Sequence, residues 1–131
     1  MRLCQCDKIE PGKGDINQME FSPERIIKFA DAVNAVPSKD GKLYAELFRH
    51  GTLAIEIYAP RGMDPQQPHT RDELYVVAAG SGTFFVEGRR FPFVTGDALF
   101  VPAGEVHRFE DFTSDLLVWV MFYGPEGGER A

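Results

Sequence analysis

From residue 42 onward, apolar and polar side chains alternate with a period of two, which is typical of β-strands that bury one face. A polar turn at residues 49–52 separates the first two of these segments, and we predict a hairpin there. Further short segments follow a Pro-rich loop at residues 59–68, with glycines at the corners between them. This pattern predicts an all-β sandwich or barrel. The later predicted strands are residues 73–79, 82–87, 97–101, 106–111 and 116–123.

One helix is predicted ahead of the strands. Ser22 is an N-cap residue type and Pro23 suits the first helical position, while Asn34 followed by Pro37 ends the pattern. Between these limits, apolar residues recur at helical spacing and form one stripe, which we interpret as a packing face. The stripe consists of Ile26, Ile27, Ala30 and Val33.

These patterns divide the chain into three parts. Residues 1–41 are interpreted as an N-terminal arm and helix that pack on the barrel, residues 42–123 as the barrel, and residues 124–131 as a flexible tail. The last strand of the barrel is apolar on both faces, so both faces are expected to be covered. The barrel interior covers one face, and either a second sheet or a partner subunit covers the other. Because closed two-fold dimers are the commonest assembly, we expect a homodimer.

Composition narrows the class of protein. A chain of 131 residues is one domain by size. Its net charge is -6, and no Lys/Arg cluster is longer than Arg89-Arg90, so we expect a small-molecule ligand rather than nucleic acid. No segment approaches the roughly 18 apolar residues of a membrane span. Cys4 and Cys6 are too close together for a useful disulfide, and free thiols favour the cytoplasm.

Residues with metal-binding chemistry gather between residues 67 and 107. In an extended chain, residues two apart face the same way, so Gln67, His69, Glu73 and Tyr75 share a parity. His107 follows on a later strand, after a Pro-Gly turn. Imidazole, carboxylate and amide groups offer lone pairs to a divalent transition metal. We predict that Gln67, His69, Glu73 and His107 converge on one ion inside the barrel.

Two alternatives stay open at the site. The pocket can lack a metal, with His69, Glu73 and His107 hydrogen-bonded to one another, in which case the buried glutamate needs a protonated histidine. Three aromatic residues have the parity to line the interior, although such residues more often form core. They are Tyr75, Phe109 and Trp119.

The same residues resemble the two sequence motifs of the cupin superfamily of small β-barrels, over about residues 42–123. The resemblance implies a double-stranded β-helix, or jelly-roll, barrel with the four side chains named above as metal ligands, in a small single-domain protein. The first motif is matched by Gly62, Gln67 in place of a histidine, His69, Glu73 and Gly80, and the second by Gly96, Pro102, Gly104 and His107.

The departures from the family pattern affect the ligand set. Gln67 replaces a histidine with a weaker, neutral oxygen donor, which either binds the ion loosely or hydrogen-bonds a coordinated water. Gly62 lies one residue closer to it than the pattern asks, and Asp111 stands where asparagine is usual. Without the glutamine, two histidines and one carboxylate remain. That set is associated with non-haem Fe(II), although Zn, Mn and Ni also accept it.

Three functional hypotheses follow. The first is a metal-dependent enzyme acting on a small oxygenated or anionic molecule, either a dioxygenase or an isomerase or lyase. The second is a non-catalytic barrel that binds or senses a ligand. The third, a metal-free acid–base isomerase, ranks last because the sequence shows no evident His-Asp dyad with a facing tyrosine.

Overall fold

A computed structural model describes residues 25–130, which form an all-β jelly roll. The strands are β1 (Tyr44–His50), β2 (Leu53–Tyr58), β3 (Asp72–Ala79), β4 (Gly82–Val86), β5 (Arg89–Phe93), β6 (Ala98–Val101), β7 (His107–Glu110) and β8 (Leu117–Tyr123). β1 and β2 form the predicted antiparallel hairpin, and the predicted fold class is confirmed. Strand β5 was not predicted, because four of its five residues are exposed and it contains a proline.

Two antiparallel sheets face each other. The larger has the strand order β1-β2-β8-β3-β6, and the smaller has the order β5-β4-β7. In the larger sheet, Glu73 on β3 lies between Phe122 on β8 and Val101 on β6. In the smaller sheet, His107 on β7 pairs with Val86 on β4. The acid and this histidine therefore approach each other from opposite sheets.

The helix differs from its prediction. Helix α1 spans Phe29–Asn34, and residues 25–28 precede it as non-helical backbone, so the predicted helical stretch there is wrong. Arg25 has a φ of 55°, which a right-handed helix excludes. The predicted start at Ser22 lies outside the described residues. Ala32 is the buried residue of α1, whereas Val33 of the predicted stripe is 39% exposed.

Two apolar clusters pack on the two faces of the larger sheet. The first fills the space between the sheets and includes Tyr75, Phe84 and Phe109. The second lies on the outer face, where Ala32 of α1 packs with side chains of the first two strands and with Trp119. β8 is therefore covered on both faces, as predicted, and α1 belongs to the cover of its outer face. Each large apolar side chain buried in this way contributes about 1.5–3 kcal/mol to folding.

A glycine allows the turn after β3 to pass close to the start of β8. Gly80 has a φ of 98°, and a Cβ built there would lie 2.8 Å from the Cα of Leu116. A side chain at this position would therefore strain the backbone and collide with a neighbouring strand.

The C-terminal segment is tied to the barrel where a flexible tail was expected. The amide of Gly127 donates to the carbonyl of Thr70 at 2.7 Å. The Asp72 carboxylate accepts from the amide of Ala103 at 2.9 Å and from the amide of Glu129 at 2.8 Å. Asp72 therefore joins the start of β3 to the turn before β7 and to the C-terminal segment. No helix among residues 25–130 is long and apolar enough to cross a membrane.

Replacing Asp72 tests this anchor. We expect Asp72→Ala to release residues 125–129, because the amides of Ala103 and Glu129 lose their shared acceptor. Hydrogen exchange should become fast at the amide of Glu129 and should stay slow in β3 and β8. Unchanged protection of the C-terminal segment would show that Asp72 does not hold it.

Candidate metal centre

The structure brings His69, Glu73 and His107 together. One ligand atom from each lies within 4.8 Å of the others. Glu73 and His107 are each 1% exposed, whereas the His69 side chain is 33% exposed. Two members of the group lie on strands from opposite sheets, and His69 lies in the loop that leads into β3.

His107 and Glu73 face each other as two hydrogen-bond acceptors. Nδ1 of His107 lies 2.9 Å from the carbonyl oxygen of Glu105, and because a carbonyl only accepts, Nδ1 carries the proton. In the neutral ring, Nε2 then has a lone pair, and it lies 3.3 Å from Oε1 of Glu73. Both atoms are buried and have no hydrogen-bond partner. Only a cation between them, a proton on Nε2 or a metal ion, satisfies both.

The two histidines differ in their electrostatics. Burial by itself lowers the pKa of His107, but Glu73 and the Glu105 carbonyl outweigh it, so the net pKa is raised. Burial, assisted by the nearby His107, lowers the pKa of His69 despite the attraction of Glu73. At neutral pH, His69 is therefore a neutral imidazole, while a proton competes with a metal ion for His107.

Gln66, rather than the predicted Gln67, lies beside this group. Oε1 of Gln66 is 3.2 Å from Nε2 of His69 and accepts from the hydroxyl of Tyr75 at 2.9 Å, whereas Gln67 is exposed. The prediction counted alternate residues backward from Glu73, but β3 begins only at Asp72. The preceding residues belong to no strand, so the alternation of a regular strand does not have to continue into them. This placement corrects the prediction for Gln67.

A buried carboxylate that the sequence did not indicate holds this glutamine in place. Asp64 is 4% exposed. Its Oδ1 accepts from the hydroxyl of Tyr58 at 2.5 Å, and its Oδ2 accepts from the amide of Phe109 at 2.8 Å and from Nε2 of Gln66 at 2.7 Å. The loop is thereby fastened to β7 two residues from His107. Nothing in the spacing of Asp64 along the loop could have revealed these contacts.

The aromatic residues predicted to line the interior divide into two groups. Tyr75 and Phe109 lie between the sheets with their ring centroids 5.0 Å apart. Trp119 lies on the opposite face of the larger sheet, where its ring centroid is 6.3 Å from that of Phe29, which corrects its prediction. Its parity was ambiguous because β8 is apolar on both faces. Phe122, which the prediction missed, contacts His69 with ring centroids 5.0 Å apart.

A surface groove borders the centre at His69. Its volume is about 430 Å³, and it lies between the loop at residues 68–70, the turn at 103–104 and the C-terminal segment at 126–127. His69 lines this groove and also reaches Glu73, with 3.8 Å between Nε2 and Oε1. A small molecule bound in the groove would therefore lie beside His69.

A further carboxylate lies on the interior face of the larger sheet. Glu56 on β2 pairs with Val120 on β8, which pairs in turn with Tyr75 on β3, so these side chains share one face. Burial raises the pKa of Glu56 to about 7, and repulsion from Glu46 and Glu73 adds to the effect. The interior thus contains an acid that titrates near neutral pH.

The donor set fits a divalent transition metal. Two imidazoles and one carboxylate are ligands that Fe, Mn, Zn and Ni all accept. Oε1 of Glu73 and Nε2 of His107 have no hydrogen-bond partner. Both atoms gain a partner if they bind one cation. The geometry therefore provides a candidate metal site made of His69, Glu73 and His107.

Comparisons with known proteins agree with this fold. The Cupin domain family profile matches residues 54–123. An uncharacterised protein from Streptomyces coelicolor (strain ATCC BAA-471 / A3(2) / M145) is 31% identical over 98 residues, which cover 73% of this chain and 93% of that protein. A cupin-2 domain containing protein from Shewanella frigidimarina has a TM-score of 0.61 at 13% identity, covering 76% of this chain and 95% of that one. The DMSP lyase DddQ from Ruegeria pomeroyi DSS-3 has a TM-score of 0.55 at 26% identity, covering 62% of this chain and 46% of that one.

The chain belongs to the cupin family, since the family profile covers more than half of its 131 residues. It is a small single-domain cupin with a jelly-roll barrel. The resemblance inferred from its two motifs is confirmed.

The raised pKa of Glu56 makes the stability of the protein depend on pH. The folded state holds this proton more tightly than the unfolded chain, whose carboxyl has its ordinary pKa of 4.5. The stabilisation is therefore fully present below about pH 4.5 and is lost as the pH rises through about 7. We expect Glu56→Gln to be more stable than the wild type at pH 8, by about 1–2 kcal/mol, and to differ less at pH 5.

Urea denaturation at both pH values measures this difference, with the exposed Asp115→Asn as the matched control. The control should follow the wild type at both pH values. If Glu56→Gln raised the free energy of unfolding equally at pH 5 and pH 8, that result would contradict a raised pKa of Glu56.

Proposed function

We propose that this cupin binds one divalent transition-metal ion through His69, Glu73 and His107 and uses it to bind and activate a small oxygenated molecule. The observation that carries the proposal is the buried pair of acceptors, Nε2 of His107 and Oε1 of Glu73, which face each other at 3.3 Å without a hydrogen-bond partner. Leaving two such atoms unsatisfied in a protein interior costs several kcal/mol, and one ion offsets that cost at both.

The charge balance favours oxygen ligands. A divalent ion with one carboxylate ligand leaves the centre with a net positive charge, and three protein ligands leave coordination positions for a substrate. When bound, the ion supplies Lewis acidity toward a carbonyl, carboxylate or enolate oxygen. The substrate class is therefore a small molecule with an oxygen donor, either neutral or anionic.

The residues around the centre define what the protein itself contributes. Phe122 and Tyr75 form apolar walls beside the imidazoles, and the fully buried Tyr75 ring fills part of the interior beside His107. Burial raises the pKa of Tyr75 well above its usual value, so its hydroxyl stays protonated and donates. Glu56, with a pKa of about 7, can hold or release a proton at neutral pH.

Among enzyme classes, these proton-holding groups favour an isomerase or a lyase over a dioxygenase. Proton transfer is most efficient when the acid or base has a pKa near the working pH, and Glu56 has a pKa of about 7 before an ion neutralises Glu73, whose charge contributes to that value. The similarity to a DMSP lyase at 26% identity supports the same direction. These groups fit a reaction in which a small polar molecule binds at the metal and loses a proton from the carbon next to a carbonyl group.

A non-catalytic ligand-binding barrel is the second candidate function. Tyr75, Phe84, Phe93 and Phe109 are each at most 2% exposed and fill the space between the sheets. The interior beside the ion is therefore narrow, which suits a small bound ligand as well as a substrate. The expected cytoplasmic location and homodimer stay predictions.

Metal binding is tested first. We expect wild-type protein reconstituted with Fe, Mn, Zn or Ni to retain one ion per chain, because three donors converge on one point. Glu73→Gln and His107→Gln should weaken zinc binding about 100-fold or more, since each removes a ligand. His50→Gln, which changes an exposed histidine on β1, is the matched control and should bind like the wild type. Equal affinity in all three variants would overturn the assignment of the site.

Reaction class is tested next on the metal-loaded wild type. The exchange of an α-proton of a small keto acid for deuterium can be measured by NMR. The exchange rate should depend on the bound metal and should be lower in Glu56→Gln than in the wild type. Oxygen consumption with a catechol or 1,2-diketone would favour the dioxygenase instead. Tightly bound metal with neither activity across a broad panel of substrates would favour the binding protein.

A further inference from the structure

We propose that Gln66 supplies the fourth protein ligand of the metal centre, through its side-chain amide oxygen. This inference rests on the proposed function, since it assumes an ion held by His69, Glu73 and His107. It assigns the ligand to a residue next to Gln67, the position at which the family motif has its histidine. Three observations support it: the orientation of the amide, its distance from another donor of the centre, and its hydrogen bonds.

The orientation of the Gln66 amide is fixed by Asp64. A carboxylate only accepts hydrogen bonds, so the group that faces Oδ2 of Asp64 at 2.7 Å must be the amide nitrogen, Nε2. Asp64 cannot turn away, because the hydroxyl of Tyr58 and the amide of Phe109 donate to the same carboxylate. The amide oxygen therefore points toward His69 and Tyr75 and not toward the loop.

One distance places this oxygen beside another donor of the centre. Ligand atoms that bind one ion at about 2.0–2.2 Å lie about 2.8–3.6 Å apart at neighbouring positions of a tetrahedron or octahedron. Oε1 of Gln66 is 3.2 Å from Nε2 of His69, and Nε2 of His107 is 3.3 Å from Oε1 of Glu73. The separation between His69 Nε2 and Glu73 Oε1 is slightly longer, at 3.8 Å. Gln66 therefore stands at a neighbouring ligand position next to His69.

Metal binding also changes the hydrogen bonds of this oxygen. The 3.2 Å contact between Gln66 and His69 is a hydrogen bond only when Nε2 of His69 carries a proton. An ion uses the Nε2 lone pair, so that nitrogen can no longer donate. The amide oxygen then keeps the Tyr75 hydroxyl as its one donor and has a lone pair available. Binding the same ion satisfies this lone pair, and because the amide is neutral, the centre keeps its net positive charge.

Gln67 does not offer an equivalent position. It is exposed and lies in the loop before β3, where adjacent side chains point in different directions. The glutamine that serves the centre is the one that the buried Asp64 holds. Asp64 is thus a positioning residue for the fourth ligand.

Histidine substitutions at the two neighbouring glutamines separate the possibilities. Histidine has about the reach of glutamine, so we expect zinc-loaded Gln66→His to bind the ion through three imidazoles. The wild type and Gln67→His should bind it through two. X-ray absorption at the zinc edge counts imidazole ligands directly and needs no activity. Three imidazoles in Gln67→His, or two in zinc-loaded Gln66→His, would overturn the proposal.

Leucine substitutions provide a second readout if the histidine variant at position 66 does not fold. Gln66→Leu should weaken zinc binding about tenfold or more, measured by competition with a chromophoric chelator, while Gln67→Leu should match the wild type. Equal affinity of the two leucine variants would overturn this inference and leave the three-residue site intact. Failure of the wild type itself to bind zinc, iron, manganese or nickel would overturn the proposed function and this inference together.

Discussion

Two acceptor atoms face each other between the two sheets, and the proposed metal chemistry depends on them. The carbonyl of Glu105 fixes the proton of His107 on Nδ1 and turns a lone pair toward the carboxylate of Glu73. Both groups are held on strands from opposite sheets, so neither can move away without disturbing the barrel. The energy cost of this arrangement is offset by the apolar packing around it, in which rings such as Phe84 and Phe109 are almost fully buried. A cation that bridges the two atoms removes the cost.

The regular strands could be predicted from the sequence, and so could the site residues that lie on them. Alternation placed Glu73 and Tyr75 on one face of β3, and a Pro-Gly turn marked the start of the strand that carries His107. Alternation does not show which face is the interior when both faces are covered. Trp119 on β8 was assigned to the wrong face for this reason.

Residues in irregular backbone also could not be placed from the sequence. Gln66 and Asp64 lie in a loop without strand periodicity, and their positions depend on hydrogen bonds to Phe109, far along the chain. The C-terminal segment was expected to be flexible because it is a chain terminus, but Asp72 holds it through the backbone amide of Glu129. Polar contacts between distant parts of the chain leave no periodic pattern in a sequence, so they are visible only in the structure.

The central claim is that a cation joins Nε2 of His107 to the Glu73 carboxylate. The most direct measurement is a long-range proton–nitrogen NMR spectrum of the imidazole rings of the full chain, recorded without metal and with one equivalent of zinc. Zinc should shift the Nε2 resonances of His69 and His107, while Nδ1 of His107 keeps its proton because Glu105 accepts it. An Nε2 resonance of His107 that does not move at saturating zinc would contradict the account.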